Sequence, residues 1–153
     1  MSKRIGVISD THGLLRDEAI DVLRGVDGII HAGDIGKKEI VEKLQEIAPL
    51  TIIKGNNDKD DWALEIPDIA ITQVLGQAIY VLHNLNELAL NPEGEFSVVV
   101  SGHSHVPKME TRNSVLYFNP GSAGPRRFKL PIAIGFLTIS EQQVTGEIVE
   151  LIK

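Results

Sequence analysis

Short apolar runs alternate with helical patterns through the first half of the chain. Residues 5–8 (Ile-Gly-Val-Ile) read as a strand, and Ala19, Ile20 and Leu23 then recur along one helix face that stops near Gly25. Gly28-Ile29-Ile30 reads as a second strand. Ile40, Val41, Leu44 and Ile47 define a second helix face. Pro49, which has no amide hydrogen to continue the helical ladder, ends it before a third strand over 50–53. This rhythm predicts βαβ units and a parallel sheet. From Ile69 onward the pattern changes to strand-like runs at short intervals, over 70–75, 78–82, 97–100, 115–118, 132–139 and 144–151, with Gly76-Gln77 expected as a tight hairpin turn. The whole predicts an α/β protein with a mixed sheet, or two packed sheets, and helices outside. No repeat, linker or low-complexity stretch interrupts it.

At 153 residues the chain is expected to form one domain over 1–153, large enough to bury a core without staples. It contains no cysteine, which removes disulfides and thiolate ligands together. That fits a reducing compartment, so a cytoplasmic location is expected, and any metal site is restricted to His, Asp, Glu, Asn and water. Lys3-Arg4 is followed by too short an apolar run for a signal peptide, and no segment is long enough to span a bilayer, so no membrane partner is expected. A net charge of -6 argues against a broad surface for long nucleic acids. Small anionic substrates stay open, because bound cations would make one pocket locally positive.

The polar residues that close the apolar runs carry the chemistry. In chain order they are Asp10-Thr11-His12-Gly13, Gly33-Asp34, Gly55-Asn56-Asn57-Asp58, His83-Asn84 and Gly102-His103-Ser104-His105. Each group follows a hydrophobic strand, and in open α/β sheets ligands bind beyond the carboxyl ends of strands, so the groups are expected to converge. Asp10 and His12, like His103 and His105, are two apart and in extended chain would project to one side. Gly13, Gly33, Gly55 and Gly102 leave room for tight turns and close backbone approach. Asp10, His12, Asp34, Asn56, His83, His103 and His105 together make seven oxygen or imidazole donors. Such a set suits two divalent cations sharing one carboxylate, a common device for moving phosphoryl groups with an activated water.

On these motifs the chain resembles the calcineurin-like metallophosphoesterases, specifically the small bacterial and archaeal phosphodiesterases of the YfcE type. The family pattern D-x-H, G-D, G-N-x-D, a strand-end His and G-H-x-H is present in order across most of the chain, as is Asn119-Pro120-Gly121-Ser122 followed by Pro125-Arg126. The resemblance implies a four-layer β-sandwich of two mixed sheets flanked by helices. It implies that Asp10, His12 and His105 hold a first metal, that Asn56, His83 and His103 hold a second, and that Asp34 bridges them. It further implies hydrolysis of small phosphodiesters by a hydroxide that the metal pair activates. Mn²⁺ is the expected metal, with Fe, Ni or Zn compatible, since an N/O donor set does not choose sharply among them. Relatives of this type often form dimers or larger homo-oligomers, and that expectation carries over. Other readings are a phosphomonoesterase of broad specificity, and a non-catalytic scaffold like the eukaryotic retromer subunit that shares this fold but has lost part of the ligand set.

Two departures from the family pattern stand out. Asn57 occupies the place where relatives carry His or Cys; its amide can donate a hydrogen bond to phosphate but cannot deliver a proton to a leaving group. Asn84 follows the strand-end histidine where the family usually has Gly. Around the ligands, Asp58 is expected to steady the loop or a histidine tautomer, and Arg126 to contact the substrate anion. His31, a lone histidine ending a strand, reads as a satisfied structural residue. Trp62 suits core packing as well as a pocket rim or dimer contact, and Lys37-Lys38 reads as an exposed helix face.

Overall fold

The continuous apolar runs become strands covered on both faces, and the covering elements set the layers. The computed structural model describes residues 1–152. Its first half runs β1 (Ser2–Ile8), α1 (Asp17–Leu23), β2 (Gly28–His31), α2 (Lys38–Ile47) and β3 (Leu50–Ile52). There follow β4 (Ile69–Val74), β5 (Gln77–Leu82), β6 (Val98–Val100), β7 (Lys108–Arg112), β8 (Val115–Asn119), β9 (Ile132–Ser140) and β10 (Val144–Ile152). They build two five-stranded sheets ordered β10-β9-β1-β2-β3 and β4-β5-β6-β8-β7. Both are mixed. β1, β2 and β3 are parallel with β9 and β10 added antiparallel, and β5, β6 and β8 are parallel between the antiparallel edges β4 and β7. This is the expected α/β sandwich.

Alternation along each strand divides its side chains between layers. Val7, Ile30, Val98, Val100 and Phe118 meet between the sheets, whereas Ile8 and Ile29 face the helices and Val99 faces the outer side of the second sheet. α1 contributes Ala19 and Leu23 to the helix-side core, and α2 contributes Ile40 and Leu44. A helix of seven residues whose N-cap makes no side-chain bond is not stable alone. Burial of Leu23, worth about 2 kcal/mol, holds it in place. The outer face of the second sheet is covered by Leu85, Leu88 and Phe96 from the segment between β5 and β6, which carries only a single 3-10 turn, Leu85–Glu87. No helix among the described residues is long and apolar enough to cross a membrane.

Two elements differ from expectation. The hairpin turn is Leu75-Gly76, not Gly76-Gln77, because Val74 pairs with Gln77 and both turn residues have positive φ, +49° and +82°. That pattern matches the mirror-image turns that suit the twist of paired strands. Leucine there hides the turn, since its side chain reads as the end of the preceding strand. β7 was not expected: its Lys-Met-Glu-Thr-Arg sequence has no apolar run, as befits a charged edge strand that discourages pairing with another sheet.

Candidate metal centre

The parallel strands β1, β2, β5 and β6 all point their carboxyl ends to the same edge of the sandwich, and the loops leaving them carry Asp10, Asp34, His83 and His103. Asp10, His12, Asp34, His103 and His105 all have positive φ, between +45° and +70°. The side chains therefore converge through left-handed bends and not, as the spacing suggested, through alternation in extended chain. Asp and His tolerate that region better than most residues, but each such bend still costs on the order of 1 kcal/mol.

Two carboxylates stand at the centre. Asp10 Oδ1 lies 3.7 Å from His12 Nε2, 3.8 Å from His83 Nε2 and 3.4 Å from His105 Nε2. Asp34 Oδ2 lies 3.7 Å from His12 Nε2 and 3.2 Å from His83 Nε2. Two groups of donor atoms each gather within 4.8 Å: Asp10 with His12 and His105, and Asp10 with Asp34 and His83. Asp10 thus belongs to both, alongside Asp34, which reaches a histidine of each. His103 is exposed, with its ring centroid 5.2 Å from that of His83, and its backbone N–H donates to Asp10 Oδ2 at 3.0 Å. Asn56 is exposed at the rim of a cavity that His83 also lines.

The surrounding residues fix these groups. Ser9 Oγ donates to Asp10 Oδ2 at 2.7 Å, and Ala32 O accepts from His83 Nδ1 at 2.7 Å, which turns the Nε2 lone pair of neutral His83 toward the carboxylates. Asn119 Nδ2 donates to Gly102 O and Ser104 Oγ, steadying the His103 loop, and Ser122 Oγ donates to Asp10 O. Glycine is required where loops touch carboxylates. A Cβ on Gly55 would collide with Asp34 Oδ1, and one on Gly102 with Ser9 Oγ and Asp10 Oδ2.

Asp58 touches no histidine. Its carboxylate accepts the backbone N–H groups of Ile35, Gly36 and Gly55, at 2.9–3.1 Å, and so ties the Asp34 loop to the Asn56 loop. It is a positioning residue. Asn57 donates to Asp34 from its backbone N–H at 3.0 Å and from Nδ2 at 3.4 Å. Arg126 is exposed and donates to Leu130 O within its own loop. Its neighbour Arg127 is exposed on the same loop.

Electrostatics follow the geometry. Burial pushes the Asp10 carboxyl up, but His105, His12 and Ser9 outweigh it and hold it well below the usual carboxylate range. Asp34 is likewise held down, as His83 and the Asn57 amide overcome its burial. The Asp10 carboxylate beside it raises His12. His83 is raised because Asp34 and Ala32 prevail over burial. A doubly charged cation among these groups would favour the ionised carboxylates and the neutral imidazoles together.

His31 is fully buried and neutral. Gly33 N–H donates to its Nδ1 at 3.0 Å, so Nε2 carries the proton and donates to Thr11 Oγ1 at 3.0 Å, while the Thr11 hydroxyl donates to Ile35 O at 2.8 Å. This chain links the loops after β1 and β2. Burial lowers the pKa of His31 to about 4, against nearby carboxylates that favour the charged form. The unfolded chain binds a proton at His31 near pH 6.5 and the folded chain only near 4. The stability this residue contributes is therefore complete above 6.5 and lost on acidification through that window, about 3 kcal/mol in all. His12 and His83 act with the opposite sign, and above pH 6.5. Urea unfolding of chelator-treated protein is expected to show stability falling between pH 6.5 and 4, with a flatter profile for His31→Gln; parallel profiles would refute the assignment.

This centre lies within residues 4–142, which match the calcineurin-like phosphoesterase superfamily domain, and the chain belongs to that family. A probable metallophosphoesterase of Methanocaldococcus jannaschii is 38% identical over 130 residues, covering 77% of this chain and 67% of that protein. Phosphodiesterase YfcE of Escherichia coli is 32% identical over 110 residues, 65% of this chain and 58% of its own; a solved YfcE structure superposes with a TM-score of 0.69 over 97% of this chain and 100% of that one, at 22% identity. Vacuolar Protein Sorting 29 from Cryptosporidium parvum has a TM-score of 0.78 and 17% identity, covering 99% of each chain, a likeness of fold alone.

Proposed function

We propose that the chain is a metal-dependent phosphodiesterase acting on small phosphodiesters, with Asp10, His12 and His105 on one divalent cation, Asn56, His83 and His103 on a second, and Asp34 between them. The observation that carries this reading is a pair of orphaned atoms. Asp10 Oδ1 and His83 Nε2 are buried, have no hydrogen-bond partner, and face one another across a cluster of carboxylate oxygens and imidazole nitrogens. Buried polar atoms are nearly always satisfied, so an unpartnered cluster of this composition fits a cation that completes it. Oxygen and imidazole donors suit Mn²⁺, and accept Fe, Ni or Zn. When bound, two such cations supply Lewis acidity to the phosphoryl oxygens and lower the pKa of a water nucleophile.

The chain's own groups do the rest. Asp10 and Asp34 stay ionised and set the spacing of the histidines. Asn57, held against Asp34, offers an amide donor to a phosphoryl oxygen but no proton to the departing alcohol, so substrates with good leaving groups are favoured. Arg126 and its neighbour Arg127, both exposed on the loop after Pro125, are the cations placed to attract the anion.

The phosphodiesterase name of YfcE supports this reading, whereas the fold shared with Vacuolar Protein Sorting 29 supports a protein-binding scaffold. A full set of site carboxylates and histidines drawn together at one edge favours catalysis, by a diesterase ahead of a broad monoesterase. Metal analysis of the purified protein, with an assay on bis(p-nitrophenyl) phosphate in Mn²⁺, tests it. About two cations per chain and Mn²⁺-dependent turnover are expected. Tight metal binding without turnover of any diester would install the scaffold, and faster turnover of p-nitrophenyl phosphate the monoesterase.

A further inference from the structure

Two cavities flank the His83–His103 pair, and Asn84 lines both. One, of about 360 Å³, is lined by Asn56, His83, Lys54, Asp68 and Glu87. The other, of about 220 Å³, is lined by His103, Ser104, Asn86, Lys108, Tyr117 and Asn119. Asn84 is fixed in place because its Oδ1 accepts the backbone N–H of Asn86 at 3.0 Å, capping the turn that follows. Its Nδ2 has no protein partner among the described residues. The residue is thus an ordered ridge between two clefts, each beginning at a histidine of the metal centre.

We propose that these clefts receive the two organic arms of a phosphodiester, one on either side of Asn84. The inference rests on the phosphodiesterase reading and names the class of substrate: a diester with two sizeable and chemically unlike arms. The volumes set the scale, since pockets for whole drug-sized ligands run to about 300–1,000 Å³ and each cleft is at or below the low end of that range. Each therefore takes one substituent. Their linings differ. The smaller cleft carries the Tyr117 ring, on which the Arg112 guanidinium stacks at 4.1 Å, and Lys108, whose Nζ pairs with Glu110 at 3.1 Å; two cations against one carboxylate suit a planar or anionic arm. The larger carries Asp68 and Glu87 against Lys54, which suits a neutral hydroxylated arm or a cationic one. A monoester has one arm and fills one cleft.

The test uses the Zn²⁺-loaded chain with diphenyl phosphate and phenyl phosphate, followed through backbone amide NMR shifts. Diphenyl phosphate is expected to shift two separate groups of amides, around Asn86 and Ser104 and around Lys54 and Asp68. Phenyl phosphate should shift one group in the wild-type chain and both in Asn84→Gly, which levels the ridge. Shifts confined to one cleft with the diester, no binding, or two shifted groups with the monoester in the wild-type chain overturn the proposal. In Mn²⁺, Asn86→Trp, which fills the smaller cleft from its exposed rim, should lower the ratio of kcat/KM for bis(p-nitrophenyl) phosphate over p-nitrophenyl phosphate at least tenfold; an unchanged ratio also overturns it. Wild-type protein that turns over no diester would sink the phosphodiesterase reading, while the shift pattern judges the clefts independently.

Discussion

Asp34→Asn is expected to lower turnover of bis(p-nitrophenyl) phosphate about a thousandfold, roughly 4 kcal/mol of transition-state stabilisation. The reason lies in what one oxygen does. Asp34 Oδ2 approaches a histidine from each candidate ligand group, 3.7 Å from His12 and 3.2 Å from His83. The amide has nearly the same shape, and its oxygen can still accept the Asn57 N–H, so the fold should hold. What disappears is the negative charge between two cation positions, and an NH₂ group facing that gap would repel a cation. Metal content should fall by about one equivalent per chain while the far-ultraviolet circular dichroism stays unchanged. A variant that keeps a tenth of wild-type turnover would remove Asp34 from its central place.

Asp58→Ala should act on stability instead, lowering it by about 4 kcal/mol. Three backbone N–H groups, from Ile35, Gly36 and Gly55, depend on this one buried carboxylate. Hydrogen bonds to a charged acceptor contribute about 1.5–3 kcal/mol each, and a buried donor left without a partner is costly. Water entering the space would recover part of the loss. Against a total of about 5–15 kcal/mol for an ordinary domain, the change is large. Asp58→Asn, which keeps one accepting oxygen, should lose about half as much. Urea midpoints compared across the three proteins decide the matter, and a shift in Asp58→Ala below about 1 kcal/mol would refute the clamp.

The sequence made some of this architecture legible and hid the rest for physical reasons. Val98-Val99-Val100 is readable because both of its faces are covered, one by the opposing sheet and one by Leu85, Leu88 and Phe96. β7 is not, because an edge strand needs no apolar face, and Leu75 conceals a turn because its bend comes from pairing across the hairpin. At the site, the order of the motifs along successive strands predicts a shared edge, and the strand topology supplies one. Asp10 standing in both ligand groups could not be read from spacing, since it depends on a left-handed bend and on Ser9 and Gly102 packed against the carboxylate. That Asp58 steadies its loop was legible from its place in the motif, but the groups it holds were not. Its partners lie up to 23 positions away and are backbone amides, which leave no mark in the residue pattern.

The left-handed bends at Asp10, His12, Asp34, His103 and His105 set durability against chemistry at the same five points of the backbone. Glycine would relax His12 and His103, whose side chains are not buried, so a laboratory selection that rewarded heat resistance alone would drift those two positions toward glycine. The hardier proteins it returned would have surrendered their grip on metal first.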